Sequence, residues 1–400
     1  MRLKFATKSI LLLVAIASLL SFSKFDHCFR TNWATPDVYV HACYSDLPAL
    51  FGARDLIDKK WPYSSAQNAV EYPPLTGVVM WATALVTPHG DNAYRYYFLI
   101  NALLIAFLFA GSAIILSRMK PEFWYLFPLS PAVILSLYIN WDLWAVITAL
   151  ASIYWFDKNE HTKSALALGV SIATKFFPIV LLAPVALILF RRRQVGRILQ
   201  YVAISLGTWL LINAPFIFFT TEGWWRFFKL NGERTADFGS LWYALQLLGI
   251  NVSNLNSISL VTFLIGIAVF AVYFFGTEKT PSLASVAFMV VAIFTLASKV
   301  YSPQYVLWLT PLAILALRGL KDRKEFWIWQ GAEVLYHFAV WQYLAEFAGS
   351  RFGLAPKAYA VATLIRIAAT IYFAVATTSS VSTRSKAPQM GEFLSSSIDG

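Results

Sequence analysis

Apolar residues in this chain fall in long, nearly uninterrupted runs separated by short polar clusters. A helix needs about 20 predominantly apolar residues to cross a bilayer. Runs of that kind lie near 8–23, 73–88, 94–117, 122–139, 142–157, 163–190, 198–219, 256–275, 282–298, 302–317, 326–345 and 356–377. The pattern predicts an all-α, polytopic integral membrane protein, a helical bundle of about 12 spans (roughly 10–13). Segments 122–139 and 142–157 are short and close together, which suits partial or re-entrant helices. No internal repeat is evident, which disfavours the repeat-built transporter folds.

Composition agrees with the pattern. The 400 residues are 58% hydrophobic and 13% charged, against about 45–50% and about 25% in soluble domains. Mean hydropathy is +0.60. These values exclude a soluble enzyme, a disordered chain and a fibrous repeat. The formal net charge of +11 does not mark a nucleic-acid binder, because no base-recognition motif accompanies it. The basic residues sit instead between apolar runs, as in Arg191-Arg192-Arg193 with Arg197, and in Arg318, Lys321, Arg323 and Lys324. Such clusters mark cytoplasmic loops. With a cytoplasmic N-terminus, loops 191–197 and 318–325 and the tail bearing Arg384 and Lys386 all fall inside. Arg118 and Lys120 fall outside in the same count. The first run follows Arg2, Lys4 and Lys8, with no small-x-small site after Leu20, so a retained helix is expected rather than a cleaved signal peptide. Residues 1–377 are expected to form one transmembrane domain, and the Ser-rich 378–400 a disordered cytoplasmic tail.

Two hydrophilic segments, 24–72 and 220–255, interrupt the apolar pattern and fall outside. The first is a large loop after the first span, holding Asp26, Asp37, Asp46, Asp55, Asp58 and Glu71. Long ordered loops are more often functional than not. Within it, Asp46–Lys60 reads as a short amphipathic helix along the membrane surface, with Leu47, Leu50, Phe51, Leu56 and Ile57 as its apolar face. Cys28 and Cys43 exclude a disulfide scaffold and a cysteine-rich metal site; one bridge and two unpaired thiols are both open. The five histidines show no metal-ligand spacing.

Charged residues inside spans are costly and default to functional candidates. Lys175 lies mid-span, with Pro178 loosening the helix beside it. Asp142 opens the fifth span, where it is either functional or a helix cap. Glu333 and His337 share a helix face, four residues apart. Arg366 sits mid-span and suits a clamp on a neighbouring carboxylate or carbonyl. Lys299 lies at the outer end of the ninth span. There is no P-loop, no dinucleotide-binding glycine motif, no HExxH and no Gly-x-Ser-x-Gly elbow.

The stretch Cys43-Tyr44-Ser45-Asp46-Leu47-Pro48, followed by Glu71-Tyr72-Pro73-Pro74-Leu75, resembles glycosyltransferase family 87. Three further elements follow in the family's order. They are Asn140-Trp141-Asp142, Lys175-Phe176-Phe177-Pro178 and Lys299-Val300-Tyr301-Ser302-Pro303-Gln304-Tyr305 with Trp308 and Pro311. The last also looks like a segment of eukaryotic GPI-anchor mannosyltransferases. The resemblance covers about 40–310. Asn140-Trp141 stands where the family has Gly-Gln, and the first loop lacks an Asp-x-Asp. The resemblance implies a GT-C-like enzyme of the actinobacterial type, using polyprenyl-phosphate-linked mannose with inversion.

That chemistry needs a carboxylate to take the acceptor's proton and cations to meet the charge on the departing lipid phosphate. Asp46 is the expected base, with Asp37 and Glu71 in reserve. Lys175, Arg234 and Lys299 are expected at the phosphate, and Tyr72, Asp142, Tyr301 and Gln304 at the sugar. Trp224 and Trp225 read as interfacial anchors or sugar-stacking rings. No cofactor and no metal ligand is expected. The expected partners are the polyprenyl-phosphate sugar donor, a glycolipid or glycan acceptor, and membrane lipids, with no nucleic acid. The expected place is the plasma (inner) membrane, with the active site extracytoplasmic. A multi-span transporter or flippase, and a non-catalytic subunit of an envelope-assembly complex, are the alternatives.

Overall fold

The structure, a computed structural model, describes residues 2–379; of the tail expected to be disordered over 378–400, residues 378 and 379 belong to the last helix and 380–400 lie outside the described residues. Within them the chain is helical, with no strand. Helix α1 (Arg2–Thr31) leads into a loop holding α2 (Asp37–Val40) and α3 (Asp46–Ala53). Then come α4 (Pro74–Val86), α5 (Ala93–Met119), α6 (Leu126–Leu129), α7 (Pro131–Ser136), α8 (Asp142–Asp157), α9 (His161–Thr174), α10 (Leu182–Arg191) and α11 (Val195–Phe219). The second half holds α12 (Thr221–Glu233), α13 (Leu241–Leu247), α14 (Leu255–Gly276), α15 (Leu283–Ala297), α16 (Val306–Ala316), α17 (Arg323–Phe347) and α18 (Pro356–Ser379). Among the described residues, five helical stretches are long and apolar enough to cross a membrane: Lys8–Thr31, Ala93–Met119, Val195–Phe219, Leu255–Gly276 and Pro356–Thr378. Only 11% of the apolar windows of α11 and α14 is buried. Leu199, Leu211, Phe218 and Phe219 of α11 and Leu260, Leu264 and Phe275 of α14 therefore point outward, as lipid contact requires of an otherwise unexplained apolar surface.

Contacts sort the helix termini into two ends. At the first, the Arg95 guanidinium donates to the carbonyls of Phe29 and Arg30 at 2.9 and 2.8 Å, so α5 begins where α1 stops. At the opposite end the Arg323 guanidinium lies over Phe123 and Tyr125, Arg192 lies over Phe156, and Arg191 donates to the Phe274 carbonyl at 2.6 Å. The first is called here the loop end, the second the basic end.

This sorting changes which segments cross the bundle. The apolar run 73–88 does not cross. The Thr76 hydroxyl of α4 donates to the Thr174 carbonyl, and the Trp81 indole to the Lys59 carbonyl. Those partners, and the start of α5, all belong to the loop end. Conversely, the run 163–190 is two passes: α9 rises to the loop end and stops at Thr174, and the segment through α10 returns to the basic end. The two misreadings offset each other in the parity count, so the basic loop 191–197 stays at the expected end. Arg118, misplaced by that count, now sits at the basic end. The amphipathic helix expected over 46–60 ends at Ala53, and Leu47, Phe51 and Leu56 are buried in protein. Phe51 stacks on Tyr97 with centroids 4.2 Å apart, so this face is anchored by α5 rather than by lipid.

Cys28 and Cys43 form a disulfide that ties the end of α1 to the loop. The bundle interior holds an ion pair between Arg366 Nε and Glu333 Oε2 at 2.8 Å, both fully buried. Glu333 also accepts from Tyr301 Oη at 3.0 Å and Trp329 Nε1 at 3.2 Å. Arg366 donates to the carbonyls of Tyr301 and Ser302. Such a pair survives burial only with its remaining donors and acceptors satisfied. Arg366 is thus the expected clamp, whereas His337 turns from Glu333 toward Ser136 and the Trp341 indole.

Gly239 makes the closest backbone approach in this region. Its φ is +76°, and a Cβ there would collide with the Tyr301 carbonyl and the Tyr336 hydroxyl. Gly239→Ala is therefore expected to lose about 1–3 kcal/mol through strain and overpacking. Thermal unfolding of the detergent-solubilised protein checks this; an unchanged midpoint would contradict it.

Candidate active site

A cavity of about 640 Å³ opens among the elements of the loop end. Its polar wall is built by α3, the loop before α4, and the break after α9. Asp46 opens α3, whose N-cap Ser45 accepts from Leu47 N at 3.2 Å. The Ser45 hydroxyl in turn donates to the Tyr138 carbonyl at 2.7 Å, and Asp46 N to the Ile139 carbonyl at 2.7 Å. The carboxylate is thus pinned against the segment leading to α8. Tyr44 Oη donates to Oδ1 and Tyr72 Oη to Oδ2, each at 3.0 Å.

Lys175 stands opposite because α9 cannot continue. Its backbone is extended, at φ −138° and ψ 142°, and Pro178 in the following turn has no N–H to extend the ladder. The Thr76 hydroxyl satisfies the Thr174 carbonyl freed by the break. The ammonium lies 2.9 Å from Asp142 Oδ1 and 4.0 Å from the centroid of the Tyr72 ring. Asp142 is fully buried, and apart from Lys175 no hydrogen-bond donor reaches its carboxylate among the described residues. Lys175 is therefore the charge that balances it. Asn140 Oδ1 accepts from Asp142 N at 3.0 Å, and Trp141 Nε1 donates to Asn101 Oδ1 at 2.7 Å. Tyr72 joins the two halves, its hydroxyl on Asp46 and its ring beneath Lys175.

The other walls are aromatic. Phe177 and Tyr305 both stack on Trp308, each with its centroid 3.7 Å from that of the indole. The buried Trp308 indole N–H has no partner among the described residues. Phe227 and Phe228 of α12 pack edge-on against Phe176 at 5.9 and 5.7 Å. Arg234, just past α12, lines the cavity 3.7 Å from Asp237.

Burial pushes the Asp46 carboxyl above its ordinary value, opposed by the bonds from Tyr44 and Tyr72 and the Lys175 charge. The Asp46 charge, with burial, raises the Tyr44 phenol, and burial with that charge raises Tyr72. Both phenols remain donors at neutral pH. A base must be ionised to act, so activity resting on Asp46 fails as pH falls through its raised pKa. The acid limb of kcat/KM is expected above the ordinary aspartate value of about 3.9. A rate profile flat down to that value would contradict this.

Of the residues expected at the site, Asp46, Glu71, Tyr72, Lys175, Arg234 and Gln304 all line this cavity. Glu71 is held by Arg54, whose Nε donates at 2.9 Å, so its charge is already matched. Asp142 stands behind Lys175 rather than on the cavity surface. Asp37 lies elsewhere, between His27 and His41. Tyr301 is enclosed in the Glu333–Arg366 network. The Lys299 ammonium donates to the carbonyls of Asn231 and Arg234 at 2.8 and 2.7 Å, binding the end of α12 instead of facing the cavity. Trp224 donates to Asn213 Oδ1, and neither it nor the exposed Trp225 lines the cavity, which favours the anchor reading. Tyr44, Asn140, Tyr305 and Trp308 were not singled out by sequence, although each lies within a stretch quoted above. An aromatic or amide among many in an apolar chain carries no charge signal.

No protein-family model and no curated protein matches the chain. Among solved structures it is similar to the crystal structure of ArnT from Cupriavidus metallidurans bound to undecaprenyl phosphate. The identity is 14%, the TM-score 0.47, and the match covers 93% of this chain and 77% of that one.

Proposed function

We propose that this chain is a GT-C-like membrane glycosyltransferase, of the family 87 kind, that moves a hexose from a polyprenyl-phosphate donor to an envelope glycolipid or glycan. Mannose is the sugar that the resemblance to that family implies. The observation that carries this reading is one polar wall: Asp46 on two tyrosines, with Lys175 across the Tyr72 ring, at the end of a membrane bundle. Asp46 takes the proton of the acceptor hydroxyl as its oxygen attacks the anomeric carbon. The bond from that carbon to the phosphate oxygen breaks on the opposite face, inverting the centre. Lys175, as a point charge, and Arg234, as a fork, stabilise the charge gathering on the leaving lipid phosphate. Gln304 and the Trp308 N–H offer hydrogen bonds to sugar hydroxyls. Asp142 holds Lys175 in place.

The loop end would then face outside the plasma membrane, with the N-terminus in the cytoplasm. Arg118, Arg191–Arg193 and Arg323 at the opposite end support this by the positive-inside rule. The Cys28–Cys43 disulfide supports it too, since such bonds persist in oxidising compartments. A transporter would need its charged groups around a central cavity. Here Lys175 stands at one end, and Arg366 is consumed by an interior pair. The test is sugar transfer from labelled polyprenyl-phosphate-mannose in membranes carrying the full chain. Labelled glycolipid or glycan that depends on the chain supports the reading. No transfer across varied sugars and supplied acceptors, with the protein present and folded, overturns it.

A further inference from the structure

The sequence spacing shows no metal motif, yet the fold brings two imidazoles and a carboxylate together at the loop end. His27 Nε2 lies 2.7 Å from Asp37 Oδ2, and His41 Nδ1 lies 2.9 Å from Asp37 Oδ1. The two imidazole rings stack with centroids 3.6 Å apart. One ligand atom from each of the three side chains lies within 4.8 Å of the others. Three atoms each about 2.1 Å from one ion would lie within about 4.2 Å of one another; the two rings must turn out of their stack to aim both nitrogens at that ion, a movement their solvent exposure allows. Neutral imidazole nitrogens with a carboxylate oxygen are a donor set for zinc-like divalent ions.

The backbone preorganises this set. Cys28 follows His27 directly, Cys43 lies two residues beyond His41, and their disulfide closes the loop that carries Asp37. The Thr31 hydroxyl donates to Asp37 Oδ2 at 3.1 Å, holding the carboxylate from the α1 side. All three side chains remain partly open to solvent, at 42%, 32% and 44% exposure for His27, Asp37 and His41. That opening leaves a face where water completes the coordination.

We propose that His27, Asp37 and His41 form a binding site for a divalent transition-metal ion, separate from the cavity that holds Asp46. The ion would tie α1 to α2, and α2 carries Tyr39, whose ring stacks on Tyr44 at 5.6 Å. Occupancy would therefore stiffen the wall from which Tyr44 donates to Asp46.

The test uses the full chain, without a polyhistidine tag, purified in detergent with its disulfide intact and stripped by a chelator. Zn²⁺ is titrated by calorimetry, and Co²⁺ by its visible d–d absorption. The expected result is one ion per chain, a rise in thermal midpoint on addition, and at least ten-fold weaker binding in His41→Ala and in Asp37→Asn. Circular dichroism checks that the variants fold. Wild type showing no Co²⁺ d–d bands and no Zn²⁺ heat overturns the site, and so does His41→Ala that binds as tightly as wild type. The wild-type spectrum decides the question even if a variant misfolds. None of these readouts uses sugar transfer, so failure here leaves the transferase reading standing.

Discussion

Asp46→Asn is expected to lower sugar transfer by about 10²–10⁴-fold, the range lost when a positioned general base is removed. The swap keeps the shape of the side chain. Tyr44 and Tyr72 each donate to one carboxylate oxygen of Asp46. The phenol facing the new amide nitrogen can rotate its hydroxyl to accept, so both contacts persist and α3 stays capped by Ser45. The loss should therefore fall on kcat, with the thermal midpoint nearly unchanged. Membranes matched for protein content, assayed with labelled donor, give the first number; thermal unfolding gives the second. Equal transfer by wild type and variant would remove Asp46 from the chemistry and move attention to Glu71, the other cavity acid expected as a base. Loss of transfer with a large drop in midpoint would mean instead that the residue acts by holding α3.

Lys175→Met is expected to have two effects that a second substitution separates. Asp142 is fully buried, and Lys175 balances its charge at 2.9 Å. Removing one partner of a buried pair leaves an uncompensated charge and costs about 3–5 kcal/mol. The fall in midpoint should be the largest of the variants named here. Adding Asp142→Asn removes the stranded charge, so the double variant should recover most of the lost stability. Transfer should not recover. A cation facing a developing phosphate charge is worth about 10²–10³-fold, the scale of a lost electrostatic stabiliser. The double variant would therefore be stable and nearly inactive. Recovery of transfer would show that Lys175 serves only Asp142. Failure to recover stability would show that the pair is not what Lys175→Met disrupts.

Asp142 shows where sequence reading stops. At the start of an apolar run it resembles a cap or a ligand. Its work as a buried counter-charge depends on Lys175, more than thirty positions along the chain, and that proximity arises only when α8 and α9 pack. Asp37 shows the reverse case. As an acid in the first loop it looked like a reserve base, but the disulfide and α2 carry it to His27 and His41.

The sequence by itself determined the class of the molecule. Uninterrupted apolar runs can satisfy their backbone in lipid only as helices, so an all-α membrane bundle follows from composition and run length alone. It also marked charged groups of the cavity wall, because charge is expensive in such a chain and Asp46, Glu71, Lys175 and Arg234 stand out against it. The tertiary structure alone decided which runs cross. Run 73–88 lies along the loop end because Thr76 and Trp81 find carbonyl partners there, and run 163–190 divides because Lys175 and Pro178 end one helix and start another. Hydropathy reports the apolarity of a segment, not the end at which its termini find partners. Partner choice is likewise a tertiary property: Lys299 binds carbonyls of α12, Tyr301 joins Glu333 and Arg366, and the Lys175 ammonium meets Asp142, each because distant helices bring a complementary charge or lone pair within reach.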